Sequence, residues 1–198
     1  MKIFRFIANK NNDAATDEAM GVLTIPDTAL LIQKRPFFIP DFTKQCLANL
    51  CVAVRINRLG RSIHNRFAER YYDADHLTLG VHFVAQDLLD TLRQQGLPWD
   101  LAVGFDNAVA VSEQTSPSVG PGVKVGISVD AETCETIVPQ LVLTQINTQI
   151  AHISRHYTLR QGDLLLLPLT TLDGIRVDID THLKLTANGE ELLAFNIK

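Results

Sequence analysis

The most regular hydrophobic pattern in the chain lies in residues 79–106. Four apolar residues recur there with the spacing of one helix face. They are Val84, Leu88, Leu89 and Leu92. Gly96 and Pro98 follow where such a helix should end. The pattern predicts a helix preceded by a short strand and followed by a turn that contains Trp99, and polar residues at the two junctions are candidates for a site.

Elsewhere the apolar residues are spaced for strands. Residues 2–8 alternate loosely, and residues 47–56 are rich in apolar residues, include β-branched ones and are closed by Gly60. Residues 123–137 predict a hairpin that turns at Asp130, and a final hairpin turns at Asn188-Gly189. A second amphipathic helix is predicted over 145–156, with Ile146, Ile150 and Ile153 on one face. The expected fold class is therefore α+β, dominated by strands.

Composition narrows the class of protein. The chain has 198 residues, of which 46% are hydrophobic and 20% charged, so we expect one globular domain over residues 1–198. The net charge of −4 and the scattered Lys and Arg residues give no basic surface for nucleic acid or anionic lipid. No segment is apolar enough for a signal peptide or a membrane span, and the three cysteines lack C-x-x-C spacing, so a cytoplasmic protein with reduced thiols is expected.

Four segments of the chain carry distinctive motifs, which are GLPWDLAVGFD at 96–106, RPFFIP at 35–40, RFAERYYD at 66–73 and TLRQGD at 158–163. They resemble segments of the fumarylacetoacetate hydrolase family, in particular of its short bacterial members, in which the first of them reads G-L-P-W-x-x-A-K-G-F-D. The resemblance covers essentially the whole chain. It implies a β-roll of mixed sheets with a few short helices, and it implies a homodimer.

The family's functional positions carry other residues in this chain. By the resemblance, family members bind Mg²⁺ or Mn²⁺ through three carboxylates, and those positions are Asn49, Cys51 and His82 here. Further family positions around the pocket hold residues without the expected chemistry. They are Asp13 and Thr16 in place of the His and Glu of an early loop, Val84 in place of Thr, Gln86 in place of Arg, Val103 in place of the active-site Lys, and Leu169 on the pocket floor.

Two functions follow from this replacement. In the first, the protein has lost the metal-dependent reaction on oxo acids and acts as a non-catalytic binding or partner subunit, with no Mg²⁺ or Mn²⁺. A small oxo acid is then a candidate ligand, and an active homologue is a candidate partner. In the second, the protein is an active hydrolase-type enzyme that uses Zn²⁺ through Cys51 and His82, which are better ligands for zinc than for magnesium.

Each replaced residue also has a purely structural interpretation. A single histidine beside a strand, such as His82, is more often a hydrogen-bonded core or surface residue than a ligand. Cys51 on an apolar strand behaves as a small hydrophobe. Asp87, which matches the family, could cap the predicted helix, because Asp is favoured at helix starts.

Overall fold

The computed structural model describes residues 1–7, 21–32, 35–113, 119–169 and 174–198. In these residues it places eleven strands and three α-helices. The strands are β1 Ile3–Ile7, β2 Gly21–Ile25, β3 Cys46–Arg55, β4 Thr78–Ala85, β5 Val109–Val111, β6 Lys124–Val129, β7 Glu132–Ile137, β8 Leu164–Pro168, β9 Ile175–Val177, β10 His182–Ala187 and β11 Glu190–Asn196. The helices are α1 Gln86–Gln94, α2 Asp100–Val103 and α3 Val142–His156. The strand-dominated α+β class expected from the sequence is confirmed.

The larger sheet has seven strands in the order β2-β1-β8-β3-β4-β5, and β9 also pairs with β3. Strand β3 is its centre, since its ten residues pair with β4, β8 and β9 in turn. The residues that predicted this strand are mostly apolar, and they are largely buried on both of its faces. Apolar side chains on one face pack toward the second sheet, while the other face carries a smaller cluster that includes Cys51, Ala53 and Leu166.

The second sheet has four strands in the order β11-β10-β6-β7. Its two hairpins turn at Asp130 and at Asn188-Gly189, as the sequence predicts, and all three of these residues have positive φ. Phe83 on β4 stacks on Phe37 with ring centroids 3.8 Å apart and meets Phe195 of β11 edge to face at 6.2 Å. These aromatic contacts link the two sheets across the main core.

The helices form close to where the apolar spacing predicts them. Helix α1 begins at Gln86, so Val84 belongs to β4 and not to the helix, and the predicted start was two residues too early. The structural reason is that Val84 pairs with Leu47 of β3, and an apolar residue fits a buried strand as well as a helix face. Gly96 follows α1 with a φ of +67°, which suits glycine at a helix end.

Other sequence predictions fall partly outside the described residues. The loop predicted over residues 9–18 lies there, as do the first three residues of the loop predicted over 116–122. All three cysteines are described and are free thiols, with Cys46 and Cys51 buried and Cys134 half-buried on β7. Among the described residues, every helix is too short or too polar to cross a bilayer.

Candidate functional site

Strands β3 and β4 bring the three replaced metal positions together. Asn49 and His82 are direct partners in the antiparallel pair, and Cys51 lies two residues further along β3, opposite Gly80. Side chains two residues apart on a strand project from the same face, so Asn49 and Cys51 share one face with the partner His82. The register therefore presents an amide, a thiol and an imidazole to one side of the sheet.

His82 is fully buried, and both of its ring nitrogens are engaged. Its Nε2 lies 2.6 Å from the backbone carbonyl of Val103, and its Nδ1 lies 2.6 Å from Nη1 of Arg5. A carbonyl can only accept and a guanidinium can only donate, so His82 donates from Nε2 and accepts at Nδ1. This pair of hydrogen bonds fixes a neutral imidazole in a single tautomer.

Electrostatics also favour the neutral imidazole. Burial and the positive charge of Arg5 hold the pKa of His82 well below its ordinary value of 6.5, although the hydrogen bond to Val103 opposes them. At neutral pH the side chain is therefore uncharged. His82 behaves as the hydrogen-bonded core histidine that the structural interpretation describes.

Cys51 is a protonated thiol in an apolar setting. Its side chain is fully buried, and burial raises its pKa to about 11, partly offset by the nearby charge of Arg5. Its Sγ lies 3.6 Å from the carbonyl oxygen of Asn49. The thiolate that would bind a metal is thus scarcely populated at neutral pH.

Asn49 is also tied to the backbone around it. Its Nδ2 donates to the carbonyls of His82 and Leu47 at 3.2 and 3.3 Å. Its Oδ1 faces Gly174, where an added Cβ would lie only 3.0 Å away. Glycine at position 174 therefore leaves room for the amide.

The other predicted site residues are placed differently. The carbonyl of Val103, at the end of α2, accepts from His82, while its side chain packs with Leu89 and Leu92 of α1. Gln86 donates from Nε2 to Asp90 at 2.8 Å along α1. The remaining predicted site residues have no described contact with His82. Leu169 is buried in the main core, and Asp13 and Thr16 lie outside the described residues.

Arg5 is a site residue that the sequence analysis did not identify. It sits in the middle of β1, between the buried Phe4 and Phe6, and its guanidinium reaches His82 on a distant strand. A charged residue at the centre of an apolar strand is the signal that could have found it. Its partner, 77 positions away, becomes visible only in the folded sheet.

The donor set does not fit the metal that the family resemblance implies. Magnesium and manganese sites are built from oxygen ligands, and these three positions offer one amide oxygen between them. Zinc would need a thiolate and an imidazole with a free nitrogen, whereas both nitrogens of His82 are engaged. Across the described residues, no group of three or more His, Cys, Asp or Glu side chains is placed to hold a metal ion.

Two packed sheets with a cluster of polar side chains on β3 and β4 are the features to compare with known proteins. The family model described as fumarylacetoacetate (FAA) hydrolase C-terminal matches residues 6–193. The chain belongs to the fumarylacetoacetate hydrolase family.

Its curated relatives include oxaloacetate tautomerases. The chain is 26% identical over 144 residues to the mitochondrial oxaloacetate tautomerase FAHD1 of Bos taurus, a match that covers 71% of this chain and 64% of that protein. It is 25% identical over 187 residues to the oxaloacetate tautomerase YcgM of Escherichia coli K12, covering 87% and 83% of the two chains. The match thus spans less than two thirds of the bovine relative.

Solved structures share the whole fold. The fumarylpyruvate hydrolase of Pseudomonas aeruginosa, solved with Mn²⁺ and pyruvate, superimposes with a TM-score of 0.80 at 18% identity, covering 100% of this chain and 89% of that one. The 5-carboxymethyl-2-hydroxymuconate delta-isomerase of Mycobacterium smegmatis gives a TM-score of 0.79 at 17% identity, covering 99% and 78%. At these sequence identities, the comparison shows a shared fold and nothing beyond it.

Proposed function

We propose that this member of the fumarylacetoacetate hydrolase family does not carry out the family's metal-dependent reaction and acts as a non-catalytic binding or partner subunit. The observation that carries the proposal is the pair of hydrogen bonds on His82. At a position where the family resemblance implies a metal-binding carboxylate, a neutral imidazole is held between Arg5 and the carbonyl of Val103. The side chain has no lone pair left for a cation.

The chemistry of the reaction supports this proposal. A divalent cation polarises the oxygens of an oxo acid and stabilises the negative charge that develops on them, a contribution of several kcal/mol. Cys51 and Val103, at two further family positions, supply neither a carboxylate nor an amine. The relatives named above are enzymes. The proposal is therefore that this chain lacks a reaction that its relatives carry out.

The geometry argues against the zinc alternative. Zinc binds thiolates, and burial raises the pKa of Cys51 to about 11, so the protonated form prevails at neutral pH. For His82 to coordinate zinc, it would have to give up its bond to Arg5 or to Val103. Either loss leaves a buried polar group unsatisfied, which costs about 1–3 kcal/mol.

Turnover assays test the proposal directly. We expect neither oxaloacetate tautomerisation or decarboxylation nor fumarylpyruvate hydrolysis with added Mg²⁺ or Mn²⁺, because Asn49, Cys51 and His82 stand where the family resemblance implies the carboxylates that would hold the cation. The E. coli oxaloacetate tautomerase, assayed in parallel, is the positive control. Metal-stimulated turnover of any of these substrates by the purified protein would overturn the proposal.

Metal content tests the zinc alternative separately. Protein purified without chelator should contain no stoichiometric zinc by inductively coupled plasma mass spectrometry. The Cys51→Ala/His82→Ala double variant is the matched control. One equivalent of zinc in the wild type that is missing from the folded double variant would establish the alternative.

A further inference from the structure

The side chain of Arg5 crosses the sheet to reach the site. In the sheet order β8 and β3 lie between β1, which carries Arg5, and β4, which carries His82. Arg5 is in line with Leu166 of β8 and Ala53 of β3, yet Nη1 lies 2.6 Å from Nδ1 of His82. The small side chains of Ala53 and Cys51 leave space for it on this face. The guanidinium is thereby brought to the cluster of replaced metal positions.

This guanidinium carries a positive charge that the described residues do not balance. Burial lowers the pKa of Arg5, but an arginine side chain stays protonated in proteins. Its hydrogen-bond partner His82 is neutral, and the thiol of Cys51 is protonated. Arg93, which lies over the ring of Trp99 at 4.7 Å, also acts on Arg5 electrostatically, and it too is positive.

A largely buried cation in this setting favours an anion. Within the described part of the chain, no carboxylate bonds to Arg5, and only one of its five N–H donors has a partner. Removing a charge from water is costly unless an opposite charge and hydrogen bonds compensate. The planar guanidinium matches a carboxylate in shape and can bind it through two parallel hydrogen bonds.

We infer that Arg5 takes the place of the family's divalent cation, and that the site binds the carboxylate of a small organic acid through its guanidinium without any metal. The inference rests on the proposed non-catalytic function and adds the ligand class and the residue that binds it. His82 is the positioning residue, because its Nδ1 holds Nη1 and fixes the plane of the fork. An organic cation then performs the electrostatic part of the metal's role, and no reaction follows from it.

Isothermal titration with pyruvate, carried out in excess EDTA, tests this inference. The wild-type protein should bind pyruvate, and the Arg5→Met variant should bind it at least about tenfold more weakly, as expected when hydrogen bonds to a charged group are lost. Arg58→Met is the matched control, since it removes one positive charge from an exposed residue beside Tyr71 and should leave binding within about twofold.

The outcomes separate this inference from the proposed function. If pyruvate fails to bind in EDTA and no substrate is turned over, the inference is overturned while the non-catalytic function stands. If pyruvate binds only after Mn²⁺ is added, the inference is overturned, and the non-catalytic function is overturned with it when Mn²⁺-dependent turnover accompanies the binding. Tighter binding of inorganic phosphate than of pyruvate would overturn the assignment to a carboxylate.

Folding of the variants is checked by circular dichroism. If Arg5→Met does not fold, pyruvate affinity is compared between the wild type and Arg5→Lys, because lysine keeps the positive charge and removes the planar guanidinium. It should then bind pyruvate several-fold more weakly than the wild type. Equal affinity of a folded Arg5 variant and the wild type would overturn the role of Arg5.

Discussion

At the scale of single residues, His82 links three elements through two hydrogen bonds. It lies on β4, receives a hydrogen bond from Arg5 of β1 and donates one to the last residue of α2. The final carbonyls of a helix lack partners within the helix, so His82 satisfies a group that would otherwise be buried without one. The same contacts require the imidazole to stay neutral, which makes the fold sensitive to acid.

The His82→Gln variant should show a weaker dependence of stability on pH. The folded-state pKa of His82 is depressed, so between pH 6.5 and that lower value the unfolded chain binds one proton more than the native chain. The contribution of neutral His82 to the free energy of unfolding is therefore fully present well above pH 6.5. It falls with acidification, by about 1.4 kcal/mol between pH 7.5 and 5.5. Urea unfolding at several pH values should show this contribution in the wild type and its loss in the variant.

Glutamine suits this test because its amide can donate to Val103 and accept from Arg5. We expect the variant to lose about 1–2 kcal/mol at pH 7.5 because these bonds are less well aligned. His156→Gln, at the exposed end of α3, is the control and should retain the wild-type pH dependence. An unchanged pH dependence in His82→Gln would show that this histidine does not titrate as described.

At the scale of elements, Asp87 fastens α1 to the segment that precedes β3. Its carboxylate accepts from the Thr43 hydroxyl at 2.5 Å, from the Lys44 amide at 2.8 Å and from the Leu88 amide at 2.9 Å. Asp87 is not the N-cap residue, since Ala85 stands there without a side-chain cap, but its carboxylate does accept from the Leu88 amide in the first turn of α1. Asp87, the second residue of α1, thus also binds the segment before β3, which sequence spacing could not reveal.

Replacing Asp87 with Asn should destabilise the fold by about 1 kcal/mol, because an amide oxygen cannot serve all three donors. Burial alone would raise the pKa of Asp87, but the hydrogen bonds from Thr43, Lys44 and Leu88 outweigh it and lower the pKa. Urea denaturation at pH 7 measures the effect. Asp90→Asn, which removes an exposed carboxylate from the same helix, should cost less than half as much. Equal losses would show that the loop contact adds nothing.

At the scale of the whole molecule, two segments that pair with the C-terminal residues carry exposed apolar side chains. Phe38 and Ile179 are each 66% exposed, and Ile39 and Ile179 line a groove of about 340 Å³. Both segments pair with the final residues of the chain, because Ile39 bonds to Lys198 and Asp180 bonds to Ile197. Exposed apolar clusters are typical of association surfaces. We propose that this surface joins two copies of the chain.

The Phe38→Asp variant tests this association. We expect the wild type to sediment as a dimer, as the family resemblance implies, and the variant to shift toward monomer because a carboxylate is costly to bury. Sedimentation velocity over a dilution series measures both. Leu59→Asp, with its side chain 69% exposed near the opposite end of β3, is the control and should stay dimeric. A monomeric wild type would contradict the proposal.

Most of the fold was accessible from the sequence because it depends on local patterns. The strand at β3 and the two hairpins were predicted by β-branched residues and by turn residues that tolerate positive φ. The boundary at Val84 was missed because burial on both faces of β4 removes the alternation that separates strand from helix.

The site was predicted in part. Alternation on β3 placed Asn49 and Cys51 on one face, and the family resemblance added His82, which the register places directly opposite Asn49. Arg5 was missed because its contact depends on the order of four strands, two of which intervene. Such an order is a property of the folded sheet, so spacing along the chain carries no trace of it.

The three thiols differ in burial, so one of them can be labelled selectively. Burial raises the pKa of Cys46 and Cys51 to about 12 and 11, whereas Cys134 is half-buried on the edge strand of the smaller sheet. A maleimide dye should therefore couple to Cys134 in the native protein. A fluorophore there would report on ligand binding and subunit exchange from the sheet that does not carry the site, and no residue would have to be engineered to attach it.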